Sequence, residues 1–271
     1  MCTCNPGDIK PAAIKHSEVW AEKNQVIASG ITDPKDRLMV ALDGSYDEAM
    51  LWAKELQGHV RWLKCGMTLF YQTGPSIVQQ LKDLGFKVFV DLKIHDIPHQ
   101  IEGASYALGQ LGCDLITTHA LGGKDMLEAC MRGVAAGAKS KGFERPRVVA
   151  VTILTSMDAR TAHSVGLEGS ADSQVERLTH LTKDSGVDGI VCSAKEAPMG
   201  REILGPEGII ITPGVRPAGS DAGDQTRILT PAKAFASGAS HLVIGRPITQ
   251  AKDRAAAASA IIEEIATSTS A

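Results

Sequence analysis

Two carboxylates and an ammonium, those of Asp91, Asp96 and Lys93, crowd one short stretch, Val88-Phe89-Val90-Asp91-Leu92-Lys93-Ile94-His95-Asp96-Ile97-Pro98. An ammonium flanked by carboxylates is favoured in its charged form. It can be aimed at a carbon where negative charge develops, so proton donation and electrostatic stabilisation are the chemistry to expect. Gathering such charges near a protein interior is costly unless they pair and serve a purpose. Asp43 and Lys64 extend the set, each toward the end of another short apolar run. A lone aspartate after a strand is more often a helix cap, and a lone lysine more often a solvated surface group. With Asp43, Lys64, Asp91 and Lys93 at equivalent ends of three successive strands, those separate readings become jointly improbable. His119 ends a fourth run, and a hydrogen-bonded packing role suits it as well as a chemical one.

A different chemistry is written in the second half. Thr212-Pro213-Gly214-Val215-Arg216-Pro217 leads into a small-residue polar loop that reaches Gln225, and Gly245-Arg246-Pro247-Ile248 leads into the last helix. Glycine exposes backbone N–H groups and arginine adds a charged fork, the combination that holds a phosphate. Gly214 could equally be a simple turn and Arg246 a surface charge, but both elements fall after late strands, where barrels commonly bind phosphate. The loop over residues 217–224 has the composition of a substrate-closing lid.

Elements must exist to bring these groups together. Side chains alternate along a strand, so Val88, Val90, Leu92 and Ile94 share one face while Phe89, Asp91 and Lys93 share the other. Pro98 cannot continue a central strand, so the chain turns out there. Similar apolar runs predict strands over 38–43, 61–66, 114–119, 147–154, 189–193, 209–212 and 241–245. Amphipathic helices are predicted over 46–56, 76–84, 100–111, 124–139, 173–185 and 253–267, with a further short helix over 10–23. Eight strands alternating with helices imply a parallel sheet with right-handed crossovers. No G-x-G-x-x-G follows the first strand, so a closed (β/α)8 TIM barrel is favoured over an open dinucleotide-binding sheet. The expected division is an N-terminal extension over 1–36 and a catalytic barrel over 37–271. Working groups in such a barrel sit at the C-terminal strand ends, where Asp43, Lys64, Asp91 and Lys93 fall.

A chain of 271 residues with 44% apolar content can bury one sizeable core. A net charge of −3 gives no reason to expect nucleic acid or a membrane surface as partner. No apolar run approaches the roughly 20 residues that span a bilayer, and no secretory pattern opens the sequence, so a cytoplasmic location is expected. The six scattered cysteines do not read as a disulfide framework. Cys2-x-Cys4 lacks the spacing of a zinc knuckle, and no metal is expected there.

Taken together and in order, these motifs resemble the bacterial-type orotidine 5′-phosphate decarboxylase family. Asp91-Leu92-Lys93-Ile94-His95-Asp96-Ile97-Pro98 looks like that family's D-x-K-x-x-D-I-P signature. Asp43, Lys64 in Leu63-Lys64-Cys65-Gly66, Leu154-Thr155-Ser156, Pro213-Gly214-Val215-Arg216-Pro217, Asp224-Gln225 and Gly245-Arg246-Pro247-Ile248 fall where the family has them. The resemblance covers about Arg37 to the C-terminus. It implies decarboxylation of orotidine 5′-phosphate to uridine 5′-phosphate without metal or organic cofactor. Lys64, Asp91, Lys93 and Asp96 would form an alternating charged network, with Lys93 protonating C6. Asp43 and Lys64 would hold ribose hydroxyls, and Thr155 would lie near the base. Gln225, Gly245 and Arg246 would hold the phosphate, with Arg216 in the same phosphate-side loop. Members are homodimers in which the Asp96 equivalent completes the neighbouring subunit's site. Gln100 stands where the signature usually has threonine, leaving a ribose contact there open. Two other readings stand beside this one: a sugar-phosphate decarboxylase or lyase of the same barrel type using Mg²⁺, and a non-catalytic nucleotide-phosphate-binding protein.

Overall fold

The computed structural model describes residues 31–216 and 229–269. Its eight parallel strands close on themselves in sequence order, β1 pairing with both β2 and β8. The strands are β1 (Leu38–Ala41), β2 (Trp62–Gly66), β3 (Lys87–Ile94), β4 (Leu115–His119), β5 (Arg147–Val151), β6 (Gly189–Val191), β7 (Ile209–Pro213) and β8 (His241–Ile244). Several end earlier than the apolar runs predict. Residues 42–43, 152–154 and 192–193 are already loop, because ladder pairing stops where the chain leaves for the barrel mouth.

Strand alternation builds two apolar layers. Met39, Trp62, Phe89, Leu115, Val149, Val151, Val191 and Ile211 fill the barrel interior. Neighbours such as Val40, Leu63, Val88, Val90, Ile116, Val148 and Ile210 point outward into a larger core shared with the helices. An interior filled this way is a packed core and not a pore, which leaves the mouth as the place for a site.

The helices are α1 (Tyr46–Leu56), α2 (Met67–Thr73), α3 (Ser76–Asp83), α4 (Pro98–Gly109), α5 (Gly123–Lys141), α6 (Ala159–Ser164), α7 (Ala171–Asp184), α8 (Ala197–Leu204), α9 (Pro231–Ala236), α10 (Arg246–Thr249) and α11 (Arg254–Thr269). Helix α1 starts where predicted because Ser45 and Glu48 form a reciprocal capping box. Pro98 opens α4 at a position whose missing N–H costs nothing. Asp33 caps a 3-10 turn over Pro34–Arg37. Helices α4 and α5 pack with backbones almost touching. A Cβ on Gly133 would run into the carbonyl of Glu102, and one on Gly137 into that of Tyr106.

Arg246 opens a one-turn helix of its own, and the last helix begins only at Arg254. The predicted helix over 10–23, the Cys2-x-Cys4 pair, the loop over 217–224 and Gln225 lie outside the described residues. No described helix is long and apolar enough to cross a membrane.

Candidate active site

The ends of β1, β2 and β3 carry an unbroken run of opposite charges. Lys64 Nζ lies 3.0 Å from Asp43 Oδ1 and 3.5 Å from Asp91 Oδ2, and Lys93 Nζ lies 2.7 Å from Asp91 Oδ1. Lys64 and Asp91 are buried, whereas Asp43 is exposed and Lys93 half-buried. Burial alone would push the Asp91 carboxyl up. The Lys64 and Lys93 ammoniums, with hydrogen bonds from Lys93 and Thr117, hold it below the usual carboxylate range instead. Burial likewise opposes the charge on Lys64, but Asp91 and Asp43 outweigh it and raise its pKa. Lys64 and Asp91 are therefore both charged before any substrate arrives.

Lys93 is held in a way its sequence does not announce. Its φ is +51°, the left-handed region, and it is the one non-glycine residue there among the described residues. Such a backbone costs about 1–3 kcal/mol and persists only where the surroundings enforce it. Here the β3–β4 ladder slips. Val90 pairs with Ile116 and Ile94 with Thr118, so four steps on β3 match two on β4. Simple alternation therefore stops at the bulge, and Lys93 joins Asp91 through this re-aimed backbone. Thr117 on β4 fills the gap, its Oγ1 accepting the Lys93 N–H at 2.8 Å and donating to Asp91 Oδ1 at 2.9 Å.

Gly66, ending β2, is a second silent participant. A Cβ there would stand 2.9 Å from Asp43 Oδ1 and 3.0 Å from Lys64 Nζ, in the middle of their ion pair. Neither Thr117 nor Gly66 stood out in the sequence. The signal that could have found them is position alone, since each lies at a strand end beside a charged neighbour.

Across the mouth the site is made of backbone and arginine. Gly214 has φ +76°, a conformation that favours glycine, and follows β7 directly. Arg216 is buried, and its Nε has no hydrogen-bond partner among the described residues. Gly245 follows β8 with φ −109° and ψ −99° and precedes Arg246. One cavity of about 800 Å³ is lined by Asp43, Lys64, Asp91, Lys93, Thr155, Arg216, Gly245 and Arg246. The structure thus brings eight of the sequence-predicted residues to one place, joining the charged side to the glycine–arginine side. That space suits a ligand the size of a nucleotide.

Three described candidates do not join them. Asp96 and Gln100 are exposed and do not line the cavity; the Asp96 carboxylate accepts the N–H of Ile97 at 2.7 Å. Ile97 beside them is 62% exposed. His119 is also outside the cavity. It stacks on His95 at 5.3 Å, and its Nδ1 accepts the Leu121 N–H at 3.4 Å. Burial, with help from His95 and Lys93, drops its pKa to about 4, so it is a neutral capping group at pH 7. Among the described residues no group of three or more His, Cys, Asp or Glu side chains could hold a metal ion.

Comparison with known proteins gives a consistent result. Residues 36–261 match the model of the orotidine 5′-phosphate decarboxylase / HUMPS family. The orotidine 5′-phosphate decarboxylase of Halorhodospira halophila is 49% identical over 231 residues, covering 85% of this chain and 96% of that protein. That of Moorella thermoacetica is 46% identical over 233 residues, covering 85% and 92%. The crystal structure of orotidine 5′-phosphate decarboxylase from Lactobacillus acidophilus superposes with a TM-score of 0.76 at 36% identity, over 84% of this chain and 98% of that one.

Proposed function

The chain belongs to the orotidine 5′-phosphate decarboxylase family and converts orotidine 5′-phosphate to uridine 5′-phosphate and CO₂, and we propose that Lys93 is its proton donor. The observation carrying this reading is the Lys93 ammonium, clasped at 2.7 Å by Asp91 inside the cavity that also contains the arginine–glycine loops.

Breaking the bond between C6 and its carboxylate leaves an electron pair on C6 with little delocalisation. A fixed ammonium beside that carbon stabilises the charge as it develops and then gives up one N–H proton to it. Lys93 is left neutral and regains a proton from water. Asp91 and Lys64 fix the position of that ammonium, and their own pairing means little reorganises during reaction. In this reading Asp43 and Lys64 hold the ribose hydroxyls, Thr155 lies near the base, and Arg216, Gly245 and Arg246 hold the phosphate; the phosphate role of Gln225 rests on the sequence resemblance alone. Phosphate binding, remote from C6, supplies energy to order the site around the reacting carbon.

The reaction so described uses no metal or organic cofactor. Purified protein should therefore remove the orotidine 5′-phosphate absorbance at the same rate with chelator present. A strict Mg²⁺ requirement would favour the sugar-phosphate lyase reading, and binding without turnover would favour a silent phosphate binder.

We further infer a homodimer with shared sites. Its support is that Asp96 completes the charge alternation in sequence yet stands outside its own chain's cavity, next to the exposed Ile97. Mixing inactive Lys93→Ala and Asp96→Ala proteins should restore part of the activity once subunits exchange. No recovery despite proven exchange would remove the inference. Gln100 is exposed like Asp96, and a Gln100→Ala variant in the same exchange experiment tests whether it takes over the ribose contact of the family's threonine. The division into an extension over 1–36 and a catalytic barrel over 37–271 is supported by a family match that starts at residue 36. A cytoplasmic location agrees with the four described cysteines being free thiols, and cell fractionation checks it.

A further inference from the structure

The slipped ladder between β3 and β4 leaves Lys93 without a strand partner in that register, at the residue whose backbone turns left-handed. A buried N–H in that position needs an acceptor. It finds one in the hydroxyl of Thr117, a side chain only 1% exposed. A threonine hydroxyl has one proton to donate, and here it goes to Asp91 Oδ1. The same carboxylate oxygen receives the ammonium of Lys93. Thr117, Asp91 and Lys93 thus form a closed ring that ties the lysine at both ends, main chain and side chain, through one hydroxyl.

We propose that Thr117 is a positioning residue for the decarboxylation: its hydroxyl holds the left-handed backbone of Lys93 and orients the Asp91 carboxylate, so that the ammonium is aimed before substrate binds. The proposal rests on the reading of Lys93 as proton donor. Thr117 does not line the cavity and needs no contact with substrate.

The adjacent residue is a built-in control. Thr118 is equally buried and also mends the bulge, its hydroxyl donating to the Ile94 carbonyl at 3.0 Å, but that bond touches neither Asp91 nor Lys93. If bridging the bulge were only a matter of stability, the two threonines would be equivalent.

The test measures kcat, KM and Tm for Thr117→Val, Thr117→Ser and Thr118→Val beside the wild type. Thr117→Val keeps the shape and loses the hydroxyl. Its kcat should fall about 10- to 100-fold, the usual worth of a hydrogen bond to a charged group, with KM little changed. Thr117→Ser keeps the hydroxyl and should recover most of the turnover. Thr118→Val should lower Tm while kcat stays near wild type. The proposal is overturned if Thr117→Val turns over normally, if Ser is as poor as Val, or if both valine variants lose kcat in step with Tm. Should Thr117→Val not fold, Thr117→Ser against Thr117→Ala decides, since only the serine retains the hydroxyl. A wild type that leaves orotidine 5′-phosphate intact would sink the functional reading itself, whereas an active wild type with an equally active valine variant sinks this proposal alone.

Discussion

The two sides of the barrel mouth solve the problem of holding a charged ligand in opposite ways. The β1–β3 side uses side chains already paired with one another: Asp43 with Lys64, Lys64 with Asp91, Asp91 with Lys93. The β7–β8 side uses glycine backbone and arginine, and leaves Arg216 Nε buried without a partner among the described residues. Charges that must act on a reacting carbon are fixed in advance, because movement during the reaction would add to the barrier. Groups that hold a phosphate have only to be complementary to it when it comes. The first side should govern kcat and the second substrate affinity.

The harshest way to break that contrast is Lys93→Ala. It removes the proposed proton donor and leaves Asp91 facing Lys64 alone, so kcat should drop by about three orders of magnitude or more while uridine 5′-phosphate still binds. Near-normal turnover would end the assignment. Arg246→Ala probes the other side. Loss of a charge-assisted bond to phosphate should lower kcat/KM about 10- to 100-fold, chiefly through KM. If kcat alone fell, the division of labour between the two sides would be wrong.

The mildest test compares the mouth with the floor of the barrel. His241, opening β8, is buried beside Arg37, Lys87 and Arg201, and burial first, then those cations, lower its pKa to about 3. In the unfolded chain it titrates near pH 6.5. Between those values the unfolded state binds more protons, so the stability it contributes is full above about pH 6.5 and is lost as pH falls toward 3. His119, at about 4, acts in the same direction. Asp91 is held below the ordinary carboxylate range, so mild acid should weaken the floor before it discharges the mouth. Tm should drop by a few degrees, roughly a kcal/mol or two, between pH 7 and 5, and by less in His241→Gln. A flat Tm over that window in the wild type would contradict it.

Most of the scaffold was readable from the chain because its signals repeat. Eight apolar runs alternating with amphipathic segments leave few architectures, and a polar residue at a strand end is conspicuous against its apolar neighbours. That is how Asp43, Lys64, Asp91 and Lys93 came out together. Short helices such as Met67–Thr73 and Ala197–Leu204 did not, since one or two turns give too little periodicity to read. The bend at Lys93 was hidden for another reason. Left-handed backbone is ordinarily flagged by glycine or asparagine, and here a lysine adopts it under the constraint of β4. Thr117 looks like any strand threonine, and its importance lies in a contact 24 positions from Lys93. Asp96 could be found as a residue but not placed, because a local motif does not say whether its side chain reaches the cavity of its own chain.

The near-contact of α4 and α5 has a consequence for how this protein tolerates change. With Gly133 and Gly137 seated on the carbonyls of Glu102 and Tyr106, even one added methyl must pry two helices apart. In a library of random single substitutions, these two exterior-layer positions should be as barren as the lysines of the mouth. They would fail through loss of folded protein and not through loss of chemistry, a distinction that abundance and activity read side by side would separate.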